Sequence, residues 1–324
     1  MDSHRQDVPM TERNRIVIIG AGHVGATAAY ALMLRALVRE IVLIDSDRAL
    51  AEAEAADLSD ANALARPGQI WAGTYADAAS ARIAVITAGA ASNGAESRLS
   101  LAGRSAEIVS TCVSQLVEAG FGGIILVAAN PVDLMTLVAL RRSGFSPARV
   151  IGTGTLLDSS RLKQTLAARF GIAPEAIEGL VLGEHGDSEV AAFSTVRIGG
   201  LTLEQFCSGG ADIDRVDVER DVREAGYQIV LGKGYTSFGV ATAIVRICEA
   251  ILRDEHTVLP VSILLAGQYD ISDVCLSLPC VLGACGVERI LTPVLEPREA
   301  VGLAASAVAL KVAIQMTLPD YAKG

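Results

Sequence analysis

Long uninterrupted hydrophobic runs are missing from this 324-residue sequence. No apolar stretch reaches the roughly 18 uncharged residues that a membrane-spanning helix needs. The richest stretch, 124–140, is interrupted by Asn130, Pro131 and Asp133. The N-terminal segment MDSHRQDVPMTERNR lacks the apolar core and the small-residue cleavage site of a signal peptide. We therefore expect no membrane span and a cytoplasmic location.

Positive charge is also scarce, with 27 Lys and Arg against 37 Asp and Glu and a net charge of -10. Surfaces that bind nucleic acid need clustered Lys and Arg, so a nucleic-acid partner is not expected. The six cysteines form no CxxC pair and lie in apolar or small-residue surroundings. This pattern favours buried free thiols in a reducing compartment over a disulfide framework or a metal site.

Charged residues make up only 20% of the chain, whereas 51% of the residues are hydrophobic and the mean hydropathy is +0.42. This composition is more apolar than a solvated monomer usually needs, which favours a protein that buries extra surface between subunits. We therefore expect a homotetramer or a homodimer. The length exceeds that of one ordinary core and predicts two regions or one large α/β unit.

The first region, residues 14–152, alternates short apolar runs with helix-like segments. The runs lie at 16–20, 41–45, 83–89, 124–130 and 150–152, and helical apolar spacing covers 26–39 and 101–119. Continuous apolar strands separated by helices predict a parallel sheet that is covered on both faces. The fold class we predict is therefore α/β, a Rossmann-type doubly wound parallel sheet.

The second region, residues 153–324, has a different character. It begins with a helix over 156–170, followed by strand-like segments at 180–187 and 194–200 and a helix over 218–233. Another strand-rich part covers 258–267 and 274–283, and a last helix covers 298–315. We predict a mixed α+β domain. No repeat or low-complexity linker separates the two regions, so they should pack tightly together.

The motif GAGHVG at 20–25 directly follows the first predicted strand and begins a helix. Its glycines permit a tight turn and let backbone N–H groups approach a pyrophosphate at the helix N-terminus. Asp45 ends the second strand, where its carboxylate can accept hydrogen bonds from ribose hydroxyls and repel a 2′-phosphate. The order of these features favours NAD binding over a plain turn with a helix-capping acid. The candidate cofactor residues here are Gly20, Gly22, Val24, Gly25 and Asp45.

The third and fourth strands end in Thr87-Ala88-Gly89 and in Asn130. Open α/β sheets bind ligands at this carboxyl edge, so these residues are further candidates for cofactor contacts. Asn130 could offer its amide to the nicotinamide or to a substrate oxygen. The alternative interpretation of Asn130 is a turn residue before a proline.

Two further motifs carry groups that are suited to acid–base chemistry. Asp158 and Arg161 are spaced to lie on one helix face, where a surface salt bridge is the simpler interpretation. His185, one of four histidines, follows an apolar strand and is close to two glycines. A histidine in such a turn is a better acid/base candidate than one in a core.

The motifs together resemble those of the lactate/malate dehydrogenase family, with the greatest similarity to L-lactate and L-2-hydroxyisocaproate dehydrogenases. The resemblance rests on NPVD at 130–133, IGTG and LDSSR within 151–161, LGEHGD at 182–187 and GKGYTS at 232–237. Their order and spacing match from about residue 15 to the C-terminal helix. The resemblance implies an NAD-dependent oxidoreductase that interconverts an L-2-hydroxy acid and its 2-keto acid, with substrate bound by the second region.

The resemblance also implies roles for individual residues. His185 matches the family's acid/base histidine, and Asp158 matches the carboxylate that orients it. Arg161 matches the guanidinium that binds the substrate carboxylate, for which its planar pair of donors is well suited. Arg98, in the segment that resembles a closing substrate loop, would polarise the ketone oxygen.

Two positions that resemble substrate-pocket residues indicate which acid is bound. Lactate enzymes usually have Gln and malate enzymes Arg at the loop position that is Ser92 here. Without a cation a dicarboxylate lacks its counter-charge, which disfavours malate, although Arg104 lies nearby in the sequence. Thr236 matches the threonine of the lactate pocket. We expect lactate or a larger monocarboxylate.

Family members that fructose bisphosphate activates have Arg and His where this chain has Lys163 and Glu178, so we expect no such activation. A malate dehydrogenase with an unusual loop stays an alternative, which a comparison of substrates would separate. A non-catalytic NAD-binding protein is another, although no binding role requires Arg98, Asp158, Arg161 and His185 together. An NAD- and metal-dependent glycosidase would need a Cys/His metal pair, and no cysteine is close to His185 in the sequence.

Overall fold

A computed structural model describes residues 14–65, 68–90, 98–208, 213–318 and 321. In the first half of the chain, apolar strands alternate with helices. The strands are β1 (Arg15–Ile19), β2 (Glu40–Ile44), β3 (Gln69–Ala72), β4 (Ile83–Ile86), β5 (Ile124–Val127) and β6 (Val150–Gly152). The helices are α1 (His23–Arg35), α2 (Arg48–Ala63), α3 (Arg98–Glu118) and α4 (Val132–Ser143).

These six strands are parallel and run in the order β6-β5-β4-β1-β2-β3. The central strands β4 and β5 are buried along their whole length, as in a sheet that helices cover on both faces. The order changes direction at β1 and β4, which are neighbours in the sheet but not in the chain. The predicted doubly wound α/β fold is confirmed.

The second half combines helices with antiparallel strands. Its helices are α5 (Leu156–Phe170), α6 (Leu203–Cys207), α7 (Arg215–Lys233), α8 (Phe238–Leu252) and α9 (Pro297–Thr317). Its strands are β7 (Ile177–Leu182), β8 (Val190–Ile198), β9 (Leu201–Thr202), β10 (Thr257–Ala266), β11 (Ser272–Gly283) and β12 (Gly286–Ile290). Strands β7, β8 and β9 form a separate antiparallel sheet.

The large sheet extends beyond the first half of the chain. Strand β10 pairs antiparallel with β6 through Ser262 and Gly152, and β11 and β12 follow at the edge. The result is a nine-stranded sheet to which both halves contribute. The division of the chain after residue 152 stays a prediction, since the hydrogen-bonded sheet crosses that point.

Two hydrophobic cores follow from this arrangement. The larger core surrounds the nine-stranded sheet, and α9 packs into it through Leu303, Leu310 and Ile314. The smaller core lies between the three-stranded sheet and helices α5 and α7, and it includes Leu162, Val181, Phe193, Val218 and Val222. The face of α5 that carries Leu162 is therefore anchored, and this anchoring positions the rest of the helix.

Helix α9 is also the one candidate membrane span among the described residues, by length and composition alone. One side of this helix lies in the core, and its outer side exposes further apolar residues such as Val301 and Val308. Length and apolar composition alone are weak evidence for a membrane span, because core helices have the same properties. All six cysteines are free. Four of them are buried as expected, but Cys207 is half-buried and Cys285 is exposed, so the expectation of burial was wrong for these two.

Two glycines of the GAGHVG motif differ sharply in the space around them. A Cβ at Gly25 would overlap the carbonyl oxygen of Gly20 and lie 2.9 Å from the Thr87 hydroxyl oxygen. A Cβ at Gly22 would meet nothing within 4 Å. Gly25 is therefore required by the close contact between β1 and α1, whereas Gly22 is not required by packing.

We expect Gly25→Ala to destabilise the protein because the backbone must move to accept the methyl group. The midpoint of thermal unfolding, measured at one protein concentration, should fall by about 4 °C or more. Gly22→Ala is the matched control and should shift the midpoint by less than about 2 °C. Equal midpoints for the two variants would contradict this account of the turn.

Candidate active site

The GAGHVG turn connects β1 to α1, and Asp45 lies beside it. The Asp45 carboxylate accepts hydrogen bonds from the backbone N–H of Ala21 at 2.6 Å and of Asp47 at 2.9 Å. Gly22 is the N-cap of α1, and no side chain caps this helix terminus. The unpaired N–H groups and the open space at Gly22 form a cradle for a pyrophosphate. The residues present therefore fit a dinucleotide.

The end of β4 forms the next wall of this region. The Thr87 hydroxyl donates a hydrogen bond to the carbonyl oxygen of Gly20 at 2.8 Å. A Cβ at Gly20, whose φ is +107°, would lie 2.6 Å from the nitrogen of Ala88. Ala88 and Gly89 follow at the same edge of the sheet. The structure thus brings the candidate residues of two strands, 20–25 and 87–89, into direct contact.

Asn130 follows β5, the strand next to β4, and is exposed. The peptide bond between Asn130 and Pro131 is cis. Helix α4 begins at Val132 directly after this bond. Asn130 thus lies at the carboxyl edge of the sheet, on the same side as the glycine turn.

The second group of predicted residues meets around one buried carboxylate. Asp158, in the first turn of α5, is 1% exposed. One of its carboxylate oxygens lies 2.6 Å from Nδ1 of His185, and the other accepts a hydrogen bond from Arg161 at 2.8 Å. His185 and Arg161 are both half-buried. The three residues that the motifs predicted are therefore in direct contact.

Charged neighbours determine the protonation states of Asp158 and His185. Burial alone would raise the pKa of Asp158, but His185 and Arg161 hold that pKa below its usual value. Burial alone would lower the pKa of His185, but Asp158, followed by Asp133 and Glu189, raises it to about 9. At neutral pH the site therefore contains an ionised carboxylate between an imidazolium and a guanidinium.

The turn that carries His185 is held by the large sheet and by α4. Gly183, with a φ of +89°, exchanges two backbone hydrogen bonds of 3.0 Å with Ser277 of β11. The backbone N–H of His185 donates to the carboxylate of Asp133 at 2.8 Å, and Ser262 donates to the other oxygen of Asp133 at 2.5 Å. Burial raises the pKa of Asp133 to about 6, although these hydrogen bonds oppose the shift.

Sequence reasoning missed the contribution of Asp133 and of Glu189. Asp133 belongs to the NPVD motif, and an acid in the first turn of a buried helix is an available signal. Glu189 follows His185 by four residues and is 9% exposed. A buried acid so close to a candidate histidine is also a usable signal, but only the structure shows that it faces the same group.

The remaining predicted residues differ in how far the structure describes them. Thr236 is half-buried just before α8. The neighbouring Tyr235 stacks on His23 of the glycine turn, with ring centroids 3.8 Å apart, so this segment reaches the cofactor region. Arg98 begins α3, but its side chain lies outside the described part of the chain, as does all of Ser92.

Comparisons with known proteins cover nearly the whole chain. Residues 14–152 match the model of the lactate/malate dehydrogenase NAD binding domain, and residues 155–319 match that of the lactate/malate dehydrogenase alpha/beta C-terminal domain. The L-lactate dehydrogenase of Treponema denticola is 40% identical over 93% of this chain and 98% of its own length. That of Thermus aquaticus is 41% identical over 92% of this chain and 97% of its own length.

Solved structures agree with these sequence matches. A lactate dehydrogenase from a Medee basin deep-sea metagenome library has a TM-score of 0.91 and 38% identity, over 94% of this chain and 99% of that one. The ligand-bound minor L-lactate dehydrogenase from Enterococcus mundtii also has a TM-score of 0.91, with 35% identity over 94% of this chain and 98% of that one. The predicted resemblance is confirmed: the chain belongs to the lactate/malate dehydrogenase family, and its first half matches the family's NAD-binding domain.

Proposed function

We propose that this protein is an NAD-dependent oxidoreductase that interconverts an L-2-hydroxy acid, lactate or a larger monocarboxylate, and its 2-keto acid. The observation that carries the proposal is the buried carboxylate of Asp158 between His185 and Arg161. This arrangement supplies a proton donor and an anion-binding group at one place. The L-lactate dehydrogenases among its relatives support the reaction class.

NAD, when bound, supplies the hydride acceptor or donor. His185 supplies the proton. Because Nδ1 is hydrogen-bonded to Asp158, Nε2 is the atom that takes the hydroxyl proton during oxidation and returns it to the ketone oxygen during reduction. Asp158 keeps the imidazole in this orientation and stabilises its charged form.

Arg161 binds the carboxylate of the substrate. One of its terminal nitrogens is engaged by Asp158, and the rest of the planar guanidinium is available for a carboxylate. Gly226 of α7 lies beside this guanidinium, because a Cβ there would be 3.4 Å from the other terminal nitrogen of Arg161, in ordinary van der Waals contact.

Further roles complete the proposal. Arg98 polarises the ketone oxygen, Asn130 contacts the nicotinamide or the substrate, and Ser92 and Thr236 line the substrate pocket. Cofactor contacts come from Gly20, Gly22, Val24, Gly25, Asp45, Thr87, Ala88, Gly89 and Asn130. We assign cofactor binding to residues 14–152 and substrate binding with catalysis to residues 153–324, in a soluble cytoplasmic enzyme.

The first test concerns His185. In His185→Gln the side chain still forms hydrogen bonds but no longer carries a transferable proton, so keto-acid reduction should fall by roughly 10²- to 10⁴-fold. NADH affinity, measured by fluorescence, should change by less than about threefold. His256→Gln is the matched control, because His256 is an exposed histidine bound to Glu288. Near-normal turnover in His185→Gln would overturn the assignment.

The second test concerns the substrate. NADH oxidation should be followed with pyruvate, 2-ketoisocaproate, phenylpyruvate and oxaloacetate, with and without fructose bisphosphate. We expect a monocarboxylate to exceed oxaloacetate by at least about tenfold in kcat/KM, because no cation stands at residue 92 to pair with a second carboxylate. Fructose bisphosphate should have no effect, since Glu178 would repel a phosphate.

The same assay includes Ser92→Arg, in which the added cation should move the preference toward oxaloacetate. If oxaloacetate is the best substrate of the unmodified protein, another cation such as Arg104 supplies the counter-charge, and the monocarboxylate proposal is wrong. If NADH binds but no keto acid is reduced, the protein is a non-catalytic member of the family.

We also propose that the protein is a homodimer or homotetramer. The end of α7 and the start of α8 expose large apolar side chains, with Leu231 80% exposed and Phe238 71% exposed. Beside them lies a groove of about 400 Å³ between α1, α5 and α8, which Leu156, Leu157 and Ala243 line. Exposed apolar surface next to an apolar groove supports burial against a second copy.

Thr242 is exposed in this groove and tests the interface. Thr242→Arg should lower the assembled fraction at a given concentration, measured by size-exclusion chromatography with light scattering, because a charge would be desolvated. Val294→Arg, at a position that is 91% exposed, is the control and should leave the assembly intact. An unmodified protein that is monomeric would refute the proposal, and an unaffected Thr242→Arg assembly would place the interface elsewhere.

A further inference from the structure

Glu189 is a buried acid in the turn that follows His185. Its backbone N–H donates to the carbonyl oxygen of Gly186 at 3.2 Å, which folds the turn back toward the histidine. Carboxylate oxygens of Glu189 and Asp158 and a ring nitrogen of His185 all lie within 4.8 Å of one another. His185 therefore has a second carboxylate neighbour besides the one to which it is hydrogen-bonded.

The Glu189 side chain is largely removed from water, since the residue is only 9% exposed. A buried carboxylate in this situation depends on nearby positive charge. Three cations favour the ionised form of Glu189 by lowering its pKa: His185, Arg161 of α5 and Arg223 of α7. Of these, His185 is the one that can lose its charge in the reaction.

Other acids face the same histidine from neighbouring elements. Asp133 of α4 binds its backbone N–H, and Asp158 of α5 binds its ring. Glu184, in the same turn, helps to raise the pKa of Asp133 and accepts a hydrogen bond from Ser188. The charge of Glu189 therefore adds to an environment that already favours the imidazolium.

Burial, followed by the charge of Asp158, raises the pKa of Glu189 to about 8. The pKa of His185 is about 9. The ionised Glu189 places a negative charge within 4.8 Å of a ring nitrogen of His185, and this charge opposes loss of the proton from the histidine. Removing the carboxylate should therefore lower the pKa of His185.

Glu189 also lies next to a cavity outside the catalytic group. It lines a cavity of about 170 Å³ together with Phe193 and with charged residues of α7 and α9. These include Glu219 and Arg298, and the Arg298 side chain is 70% exposed. Glu189 therefore borders both the catalytic group and a cavity that charged side chains line.

We propose that Glu189 is a positioning residue that acts through His185: its carboxylate holds the proton on the histidine. The catalytic consequence rests on the proposed function above. The effect on the histidine does not, because it is a property of the protein without substrate. The proposal requires no metal ion between Asp158, His185 and Glu189, because Asp158 and His185 are already hydrogen-bonded to each other.

The test is an NMR titration of the histidine side chains in the protein without ligands. The chain has four histidines, and the His185→Gln variant assigns the signal of residue 185. In Glu189→Gln we expect the midpoint of the His185 titration to fall by about one pH unit. Glu189→Asp, which keeps the charge, should restore part of the shift.

Glu219→Gln is the matched control, because Glu219 lines the same cavity but pairs with Arg298. It should leave the His185 midpoint unchanged. An unchanged midpoint in Glu189→Gln would overturn the inference, as would an equal shift in Glu219→Gln. Thermal unfolding of each variant separates loss of the fold from loss of the charge.

Kinetics give a second, separate readout. The fall of kcat/KM for keto-acid reduction at alkaline pH should move to lower pH in Glu189→Gln by the same amount as the NMR midpoint. A shifted NMR midpoint without any turnover in the unmodified protein would refute the proposed function but support the role of Glu189. A shifted midpoint with an unmoved kinetic profile would refute its role in the reaction.

Discussion

The ionised carboxylate of Asp158 is the group on which the candidate site depends. A carboxylate that is taken out of water needs a partner for each of its oxygens. Arg161 binds one oxygen and His185 binds the other, although they come from a helix and from the turn after β7. One buried charge therefore joins two separate segments of the chain. The same charge orients the imidazole and strengthens its hold on a proton.

A second buried acid connects this group to the nine-stranded sheet. Asp133 binds the backbone of His185 with one oxygen and Ser262 of β10 with the other. Strand β10 is also the strand that joins the second half of the chain to β6. The position of the histidine is thus tied to the sheet that carries the glycine turn. The geometry between cofactor region and proton donor depends on this joint sheet more than on any loop.

The sequence predicted those features that depend on local patterns. Helix α5 was predicted over 156–170 and is observed over Leu156–Phe170, because its apolar spacing and its glycine C-cap are both local signals. Strand β3 and helices α2, α4 and α8 were not predicted. Helix α8 buries nine of its residues, and its apolar residues repeat with helical spacing, so a local signal for this helix was present and was overlooked. The pairing of β10 with β6 was also missed, since sequence patterns do not specify strands that are distant in the chain.

The candidate site also combines features that local sequence patterns predicted with features that they did not. Spacing placed Asp158 and Arg161 on one helix face, the glycine-flanked turn made His185 an acid/base candidate, and the family resemblance joined the three residues in one site. None of these signals could show that three carboxylates converge on that histidine, because Asp133, Asp158 and Glu189 come from three different segments. Asp158 is ionised and keeps the histidine protonated through the neutral range, and Glu189, whose pKa is about 8, adds its negative charge as the pH rises further. In the proposed reaction, the protonated form is the one that donates to a keto acid, so the charges around His185 prepare the free protein for reduction rather than for oxidation.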